Sequence, residues 1–272
     1  MAHSLTATAS DDFIIREPDK TYREKSKHNL SSHQLADFRR CPYLYHKKKI
    51  GLIPDEDRPA YLLGRAAHML ILEGWDEFKD GYAVGGPINP KTGNPYGSTT
   101  KAYAEWADAQ GKPVLTDSQY ELITNLASGV KANDAAQQLL AEGIPEGVVR
   151  AEYCEMPCQS RLDWFDAVRG IVDLKTCDDL TWFESDARRY GYAYQMAFYR
   201  SMVAQVTGER FPVHIIAVEK KEPFRCGVWR MGEDVLGTAQ KENEQAIERL
   251  KKCIERDTWP TGYEDIRIFD WL

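Results

Sequence analysis

The chain has 272 residues, of which 43% are hydrophobic, an ordinary share for a globular protein with a hydrophobic core. It contains no apolar run of the roughly 18 residues that a membrane-spanning helix requires, and its N-terminus lacks the order of a signal peptide, so we expect a cytoplasmic protein. The net charge of −7 excludes a passive coat on nucleic acid, because neutralising phosphates requires Lys and Arg. It does not exclude an enzyme that has a local basic groove.

The first half of the chain is predicted to be helical after a polar start. Residues 1–28 have no clear period and indicate a flexible or loosely docked arm. Residues 85–98 contain four Gly and three Pro and are typical of a loop. Apolar periodicity and capping residues predict helices over 31–50, 60–73, 99–110 and 117–140.

The second half is predicted to alternate strands with helices. Strands are expected over 148–156, 159–165, 170–175, 212–219 and 224–231, and helices over 180–189, 190–206 and 234–256. This order predicts an α/β fold in which helices flank a mixed central β-sheet. The predicted organisation is the arm followed by one domain, 29–272, whose sheet spans 148–231.

Two acidic residues and a lysine are the most informative feature of the predicted hairpin over 161–175. If the turn centres on Val168, Asp163 lies opposite Asp173, and the two-residue period of a strand puts Lys175 on the same face. A shift of the register by one residue would break the facing pair. The opposite face would then be apolar and would contain Leu162, Trp164, Val172 and Leu174.

Facing carboxylates repel each other and destabilise a sheet unless a cation lies between them. Magnesium binds oxygen ligands and commonly takes two carboxylates from a protein. Lys175 could contact a phosphate or orient an attacking water, so the pattern is consistent with metal-assisted phosphodiester hydrolysis. The alternative is a solvated hairpin face with one ion pair, which is the usual meaning of an isolated Asp-x-Lys. The facing Asp163 and the apolar opposite face favour the functional interpretation.

Five segments, in this order, resemble the PD-(D/E)xK nuclease superfamily, and within it the RecB-like branch and most closely the RecE-type exonucleases. The resemblance covers about residues 30–257. Its segments are Ser32–Tyr43 (SHQLADFRRCPY), Gly64–His68 (GRAAH), Arg161–Asp163 (RLD), Ile171–Thr176 (IVDLKT) and Gln195–Tyr199 (QMAFY).

The resemblance implies a role for each matched residue. His68, Asp163, Asp173 and the Leu174 carbonyl would hold Mg²⁺ or Mn²⁺, and Lys175 would help to activate the attacking water. Gln195 and Tyr199 would line the site and contact DNA, and Glu152 on the preceding strand is a further acidic candidate. Taken alone, His68 is more often a packed or surface histidine. Gln195 and Tyr199 could equally be the polar edge of an aromatic-rich helix.

The resemblance further implies a Mg²⁺-dependent 5′–3′ exonuclease that degrades one strand of double-stranded DNA and leaves 3′ overhangs. A ring-shaped homo-oligomer and a RecT-type annealing partner, acting in phage-type recombination and repair, are implied in the same way. Three alternatives stay open: a single-strand or structure-specific nuclease of the same superfamily, a non-catalytic DNA-binding or assembly protein on this fold, and a hydrolase of small phosphoesters.

The cysteines and the basic residues complete the sequence-based expectations. Some RecB-like nucleases bind an iron–sulfur cluster through a cysteine placed like Cys41 and three more near the C-terminus. Only Cys253 lies near the C-terminus here, so no cluster is expected. Zinc is not expected at Cys154 and Cys158, which lack a second ligand pair. A DNA groove could be formed by basic residues that include Arg39, Arg40, Lys47, Lys48, Lys49, Arg188, Arg189, Lys220 and Lys221.

Overall fold

A mixed five-stranded sheet forms the centre of this computed structural model, which describes residues 13–54 and 59–270. The strands follow one another in space as they do in sequence, β3-β4-β5-β6-β7. Strands β5 and β6 are parallel, and the other neighbouring pairs are antiparallel. The bounds are β3 (Ile144–Tyr153), β4 (Met156–Asp166), β5 (Gly170–Cys177), β6 (Val213–Glu219) and β7 (Cys226–Arg230), and a separate parallel pair is formed by β1 (Ala83–Val84) and β2 (Val114–Leu115).

Helices cover both faces of the sheet, as the predicted α/β order requires. Those in the described residues are α1 (Asp19–Lys25), α2 (Ser32–Arg40), α3 (Pro42–Lys49), α4 (Pro59–His68), α5 (Trp75–Gly81), α6 (Lys101–Gln110), α7 (Asp117–Lys131), α8 (Asp134–Leu139), α9 (Phe183–Tyr190), α10 (Tyr192–Thr207) and α11 (Glu233–Arg256). A π-helical segment, Met69–Glu73, continues α4, and a 3₁₀ turn, Leu180–Trp182, precedes α9. Among these helices none combines the length and the apolar character needed to cross a membrane.

Two hydrophobic clusters lie on opposite faces of the sheet. One joins the sheet to α2, α10 and α11, and the other joins it to α4, α7 and α8. Neighbouring residues of the central strands alternate between the clusters. Ile171 and Ile215 belong to the first cluster, and Val172, Leu174 and Ile216 belong to the second. All five are at most 2% exposed, and this burial on both faces explains the nearly continuous apolar sequence of β5 and β6.

The single helix expected over 31–50 is two helices, and the sequence contains the reason. Cys41 ends α2 in an extended conformation, with φ −164° and ψ 106°, and Pro42 begins α3. The residue before a proline disfavours the helical conformation, and proline is well accommodated in the first turn of the next helix. The expected helix over 117–140 is also divided, because Asn133 caps the start of α8.

The described part of the predicted arm, residues 13–28, contacts the edge of the sheet. Ile15 forms an antiparallel bridge to Val148 of β3, with backbone hydrogen bonds of 3.0 and 2.9 Å. Glu17 forms an ion pair with Arg150. This part of the predicted flexible or loosely docked arm therefore lies against the sheet. Residues 1–12 lie outside the described residues, and the division into an arm and one domain stays a prediction.

Gly170 provides a test of the turn that joins β4 to β5. Its φ is +88°, and a Cβ atom there would lie 2.1 Å from the Pro212 carbonyl oxygen. Gly208 after α10 has a similar φ of +76° but open space around it. We expect Gly208→Ala to lower the free energy of unfolding by about 1–2 kcal/mol, because alanine is strained in the left-handed backbone. Gly170→Ala should lower it by about 1–3 kcal/mol more, because its Cβ atom would also be overpacked. Urea unfolding of the two variants measures the difference; equal losses would contradict the close approach.

Candidate active site

Strands β4 and β5 are paired only next to the turn that joins them, and they separate further from that turn. They pair at Trp164–Val172, Phe165–Ile171 and Asp166–Gly170, which centres the turn on Val168 as expected. The pairing stops one residue before Asp163 and Asp173. Beyond that point β4 continues beside β3, and β5 continues beside β6. The two aspartates therefore lie where the strands begin to diverge, and we call this place the fork.

The side-chain alternation of β4 changes at the fork. Trp164, Val172 and Leu174 belong to the cluster beside α4, as expected, whereas Leu162 belongs to the cluster beside α10. The expectation that all four share one face is therefore wrong for Leu162. The physical reason lies opposite Asp163, where Glu146 has a φ of +52°. A left-handed residue within an extended strand reorients the chain locally and interrupts the alternation.

The predicted acidic residues and lysine meet at the fork. Lys175 Nζ lies 2.6 Å from Asp173 Oδ2, and the Asp173 side chain is only 1% exposed. Asp173 Oδ1 is buried and has no hydrogen-bond partner among the described residues. Asp163 Oδ2 accepts a hydrogen bond of 2.7 Å from the Leu174 backbone N–H. The fork thus contains one carboxylate oxygen that is buried and unsatisfied beside a second carboxylate.

His68 and Glu146 approach Asp163 from two other elements. His68 is the last residue of α4, and its Nδ1 lies 3.5 Å from Asp163 Oδ2. Glu146, on β3, offers a carboxylate oxygen that lies within 4.8 Å of ligand atoms of both His68 and Asp163. Within residues 13–54 and 59–270 these three form the one group of His, Cys, Asp or Glu side chains close enough to hold a metal ion.

Burial disfavours the charged form of each carboxylate at the fork. It raises the pKa of Asp173 to about 6, although the Lys175 ammonium opposes the shift. Burial, together with the charge of Asp163, raises the pKa of Glu146 to about 8. Burial also raises the pKa of Asp163, against the opposing effect of Lys175. Ionisation of each of these carboxyl groups is therefore less favourable than in water, and a nearby cation would favour it.

The pKa values of the two basic groups of the site, His68 and Lys175, shift in opposite directions. Burial, helped by the positive charge of Lys175, lowers the pKa of His68 to about 4, so its imidazole is neutral at neutral pH. Burial acts to lower the pKa of Lys175 as well, but the carboxylates of Asp173 and Asp163 outweigh it and raise that pKa. A neutral imidazole has a lone pair available for a metal, and a charged lysine can donate to an anion.

This set of donors fits a divalent metal ion. Carboxylate oxygens suit hard cations such as Mg²⁺ and Mn²⁺, and an imidazole nitrogen suits first-row transition metals. The unsatisfied Asp173 Oδ1 would gain a partner, and the raised pKa values of the carboxyl groups would fall. The residues that would hold the ion are His68, Glu146 and Asp163, and ligation by Asp173, which lies outside that group, stays a prediction. Leu174 fixes Asp163 through its N–H, and ligation through its carbonyl stays a prediction.

Helix α10 supplies the polar residues on the other side of the fork. Gln195 Nε2 donates a hydrogen bond of 2.9 Å to the Tyr199 hydroxyl, so the two predicted residues share one helix face. Burial and the negative charge of Asp173 raise the pKa of Tyr199 well above its usual value. The ring of Tyr192, at the start of α10, lies 4.9 Å from Lys175 Nζ. These side chains therefore border the Asp173–Lys175 pair, and their contact with DNA stays a prediction.

The structure does not bring Glu152 to the fork. It is exposed and pairs with Pro157 near the β3–β4 turn, about 20 Å along the strand from Glu146 at roughly 3.3 Å per residue. Sequence reasoning missed Glu146 because Gly143, Pro145 and Gly147 indicated a turn there, so β3 was expected to begin only at residue 148. The signal that could have found Glu146 is its register position directly opposite Asp163.

Most of the predicted basic groove residues have local partners. Lys48 pairs with Asp37 at 2.8 Å, Lys220 with Asp178 at 2.8 Å, Lys221 with Asp179 at 2.9 Å and Arg189 with Asp186 at 3.1 Å, and Arg39 contacts Asn243 and the Tyr194 ring. Arg40 and Arg188 are exposed. Their convergence into one groove stays a prediction. The six cysteines are unpaired thiols.

Comparisons with known proteins agree with this architecture. A family model described as a PDDEXK-like domain of unknown function (DUF3799) matches residues 31–270. A crystal structure of a "Putative exonuclease" from Eubacterium rectale superimposes with a TM-score of 0.68 and 17% identity, over 95% of this chain and 97% of that one. No curated protein matches the chain. The structural likeness at this identity confirms the predicted fold.

Metal binding should stabilise the protein in a pH-dependent way. A carboxyl group whose pKa is raised by folding binds its proton more tightly in the folded state, so its contribution to stability is lost as pH rises through the folded value. For Asp173 that loss runs from about pH 4 to about pH 6, and for Glu146 from about pH 4.5 to about pH 8. A divalent cation competes with those protons and replaces them.

We therefore expect Mg²⁺ or Mn²⁺ to raise the thermal unfolding midpoint more at pH 8 than at pH 5. A cation at a hundred times its Kd adds about 2.7 kcal/mol, which corresponds to a shift of roughly 5–10 °C for a chain of this size. Differential scanning fluorimetry of the wild type and Asp173→Asn measures the effect. An equal shift at both pH values, or the same shift in Asp173→Asn, would show that the cation binds elsewhere.

Proposed function

The chain belongs to the PDDEXK-like family DUF3799, and on this basis we propose that it is a metal-dependent DNA nuclease whose active site is the fork. The observation that carries the proposal is the buried contact of Lys175 Nζ with Asp173 Oδ2 at 2.6 Å, with Asp163 beside it. Hydrolysis of a phosphodiester requires positive charge at the phosphate and an oriented water. The fork holds the residue types that can supply both.

Each residue of the fork has a distinct part in the proposed reaction. A bound divalent cation supplies Lewis-acid polarisation of the phosphate and lowers the pKa of the attacking water. Asp163, Glu146 and Asp173 would hold that cation, and the Leu174 N–H fixes the orientation of Asp163. Lys175 keeps its proton, and its ammonium donates to a non-bridging phosphate oxygen or orients the water. Neutral His68 completes the ligand set with a nitrogen lone pair.

The finer assignment rests on resemblance. We propose a Mg²⁺-dependent exonuclease that degrades one strand of double-stranded DNA in the 5′–3′ direction and leaves 3′ overhangs. It is supported by the ordered RecE-like segments and by the description of the E. rectale protein as a putative exonuclease. A homo-oligomeric ring, a RecT-type annealing partner, a cytoplasmic location and a role in phage-type recombination belong to the same proposal.

A non-catalytic DNA-binding protein on this fold is the main alternative of a different class. A binding surface needs exposed Lys and Arg side chains, and has no need of carboxylates buried beside a lysine. Burying an ion pair also costs desolvation energy that well-packed apolar residues would avoid. The presence of Asp163, Asp173 and Lys175 at the fork therefore favours catalysis.

Digestion of linear duplex DNA tests the proposed activity and its site. Lys175→Ala should lower the cleavage rate by about 10²–10⁴-fold, the usual contribution of a group that takes part in proton transfer. Asp173→Ala should abolish cleavage. The matched controls are Lys79→Ala and Asp76→Ala, because these residues form an ion pair of 3.7 Å in which Asp76 is 95% exposed. They should retain the wild-type rate.

Labels at either end of each strand, with Mg²⁺ present, report polarity and strand preference in the same experiment. Loss of the 5′ label first supports the finer proposal. Cleavage of single-stranded or branched DNA but not of duplex would replace it with a structure-specific nuclease. Undiminished cleavage by Asp173→Ala would contradict the site, and release of phosphate only from small phosphoesters would contradict DNA as the substrate.

Glu146 and Glu152 make a matched pair for testing the ligand set. We expect Glu146→Gln to raise the Mg²⁺ concentration needed for half-maximal cleavage by about 10–100-fold, since it removes a charged donor while keeping the side-chain size. Glu152→Gln, on the same strand but exposed, should leave that concentration unchanged. A shift caused by Glu152→Gln, or none from Glu146→Gln, would remove Glu146 from the site. Metal titrations at fixed DNA concentration provide the measurement.

A further inference from the structure

Two tyrosines meet at the junction of α9 and α10. Tyr190 ends α9 and Tyr192 begins α10, and the residue between them, Gly191, has a φ of +73°. This left-handed residue ends one helix and turns the chain into the next. It brings the rings of Tyr190 and Tyr192 together in a stacked arrangement, with centroids 5.9 Å apart and planes at 30°.

The tyrosine pair connects the fork to the surface. At its inner end, the ring of Tyr192 lies 4.9 Å from Lys175 Nζ, and Lys175 in turn contacts Asp173. At its outer end, Tyr190 is 60% exposed. One ring therefore borders the proposed reacting groups, and the next ring along lies open to solvent.

An arginine that is also paired with Asp186 at 3.1 Å lies against the exposed ring. The Arg189 guanidinium lies 4.6 Å from the centroid of Tyr190, and Arg189 also donates to the Tyr190 hydroxyl. Arg188, one residue earlier, is exposed. A large ring that remains mostly in water contributes little to the hydrophobic core, so the fold alone does not account for it. Its combination with arginines matches a nucleotide, whose base stacks on aromatic rings and whose phosphate attracts guanidinium groups.

We propose that Tyr190 and Tyr192 form a stacking platform for unpaired bases of the DNA strand that enters the fork. The platform rests on the proposed nuclease function and adds a substrate feature to it. Bases that enter the platform from within the duplex must leave the duplex stack, because inside the stack both faces of each base are covered by its neighbours. The occupant is thus a single-stranded end, and duplex DNA would have to fray before it is cut.

The platform predicts that removing the Tyr190 ring lowers kcat/KM only when a base is present to stack on it. Tyr190→Ala should lower kcat/KM on DNA by about 5- to 150-fold, the usual value of one base–aromatic stack. Tyr190→Phe, which keeps the ring, should recover most of that loss. A substrate with abasic residues at the two positions beside the cleaved bond should lower the wild-type kcat/KM by at least a similar factor, and Tyr190→Ala should then lower it no further.

Tyr263→Ala is the matched control. Tyr263 is 74% exposed, and the Arg267 guanidinium lies 4.1 Å from its ring centroid, so it repeats the arginine–tyrosine pair on the tail that follows α11. This variant should cleave like the wild type. Thermal unfolding of the Tyr190 variants should match the wild type, because the ring is largely exposed.

A binding experiment separates failure of the platform from failure of the proposed function. Single-stranded oligonucleotides with 2-aminopurine at either terminal nucleotide should lose fluorescence on binding to wild type and Tyr190→Phe, but much less on binding to Tyr190→Ala. If wild type quenches the probe and cleaves no DNA, the nuclease proposal fails and the platform stands. The platform is overturned if Tyr190→Ala quenches like wild type, or if its loss of kcat/KM persists on the abasic substrate.

Discussion

The buried contact between Lys175 and Asp173 is the interaction around which the rest of the site is arranged. Desolvating both charges costs several kcal/mol per ion, and apolar residues of the same volume commonly give equal or greater stability. The pair is therefore a poor way to stabilise a sheet. At the fork Asp173 is 1% exposed and one of its oxygens is unsatisfied, and the proposed nuclease activity gives a reason for that cost.

The divergence of β4 from β5 gives the site its form. In a continuous antiparallel ladder the Leu174 N–H would donate to a backbone carbonyl of β4, but the ladder ends at Trp164–Val172. A buried backbone N–H needs a partner, and the Asp163 carboxylate supplies it at 2.7 Å. The same separation admits α4 with His68 from one face and α10 with Tyr199 from the other. The separation of β4 from β5 thus orients Asp163 and lets His68 and Tyr199 approach the fork.

The hairpin could be predicted from sequence because its signal is local. With the turn assumed to centre on Val168, the two-residue period of a strand brings Asp163 near Asp173, and the structure has that turn centre. The break between α2 and α3 was equally local, in Cys41-Pro42, but the apolar periodicity across it favoured a longer helix. Glu146 could not be predicted in the same way, since its glycine- and proline-rich surroundings are typical of a turn rather than a strand.

The contacts that dock residues 13–28 could not be predicted from the local sequence, for a different physical reason. Its contacts join residues far apart in sequence, such as Glu17 with Arg150 and Arg16 with Glu73 at 2.6 Å, and ion pairs of this kind leave no periodic pattern. Asp19 of the same segment pairs with Arg161 at 2.9 Å, and Arg161 Nε lies 3.9 Å from Glu146. The N-terminal segment therefore adds a second layer of charge behind the fork.

Electrostatics also explains how one small site can hold groups with opposite tasks. Burial neutralises His68, whose pKa falls to about 4, whereas the carboxylates beside Lys175 keep that lysine charged. The difference depends on the neighbours of each group, because burial alone would lower both pKa values. A cation that neutralised Asp163 and Asp173 would weaken the pairing that holds Lys175. The lysine would then be freer to turn its ammonium from Asp173 toward a phosphate, so that cation and substrate binding support each other at the fork.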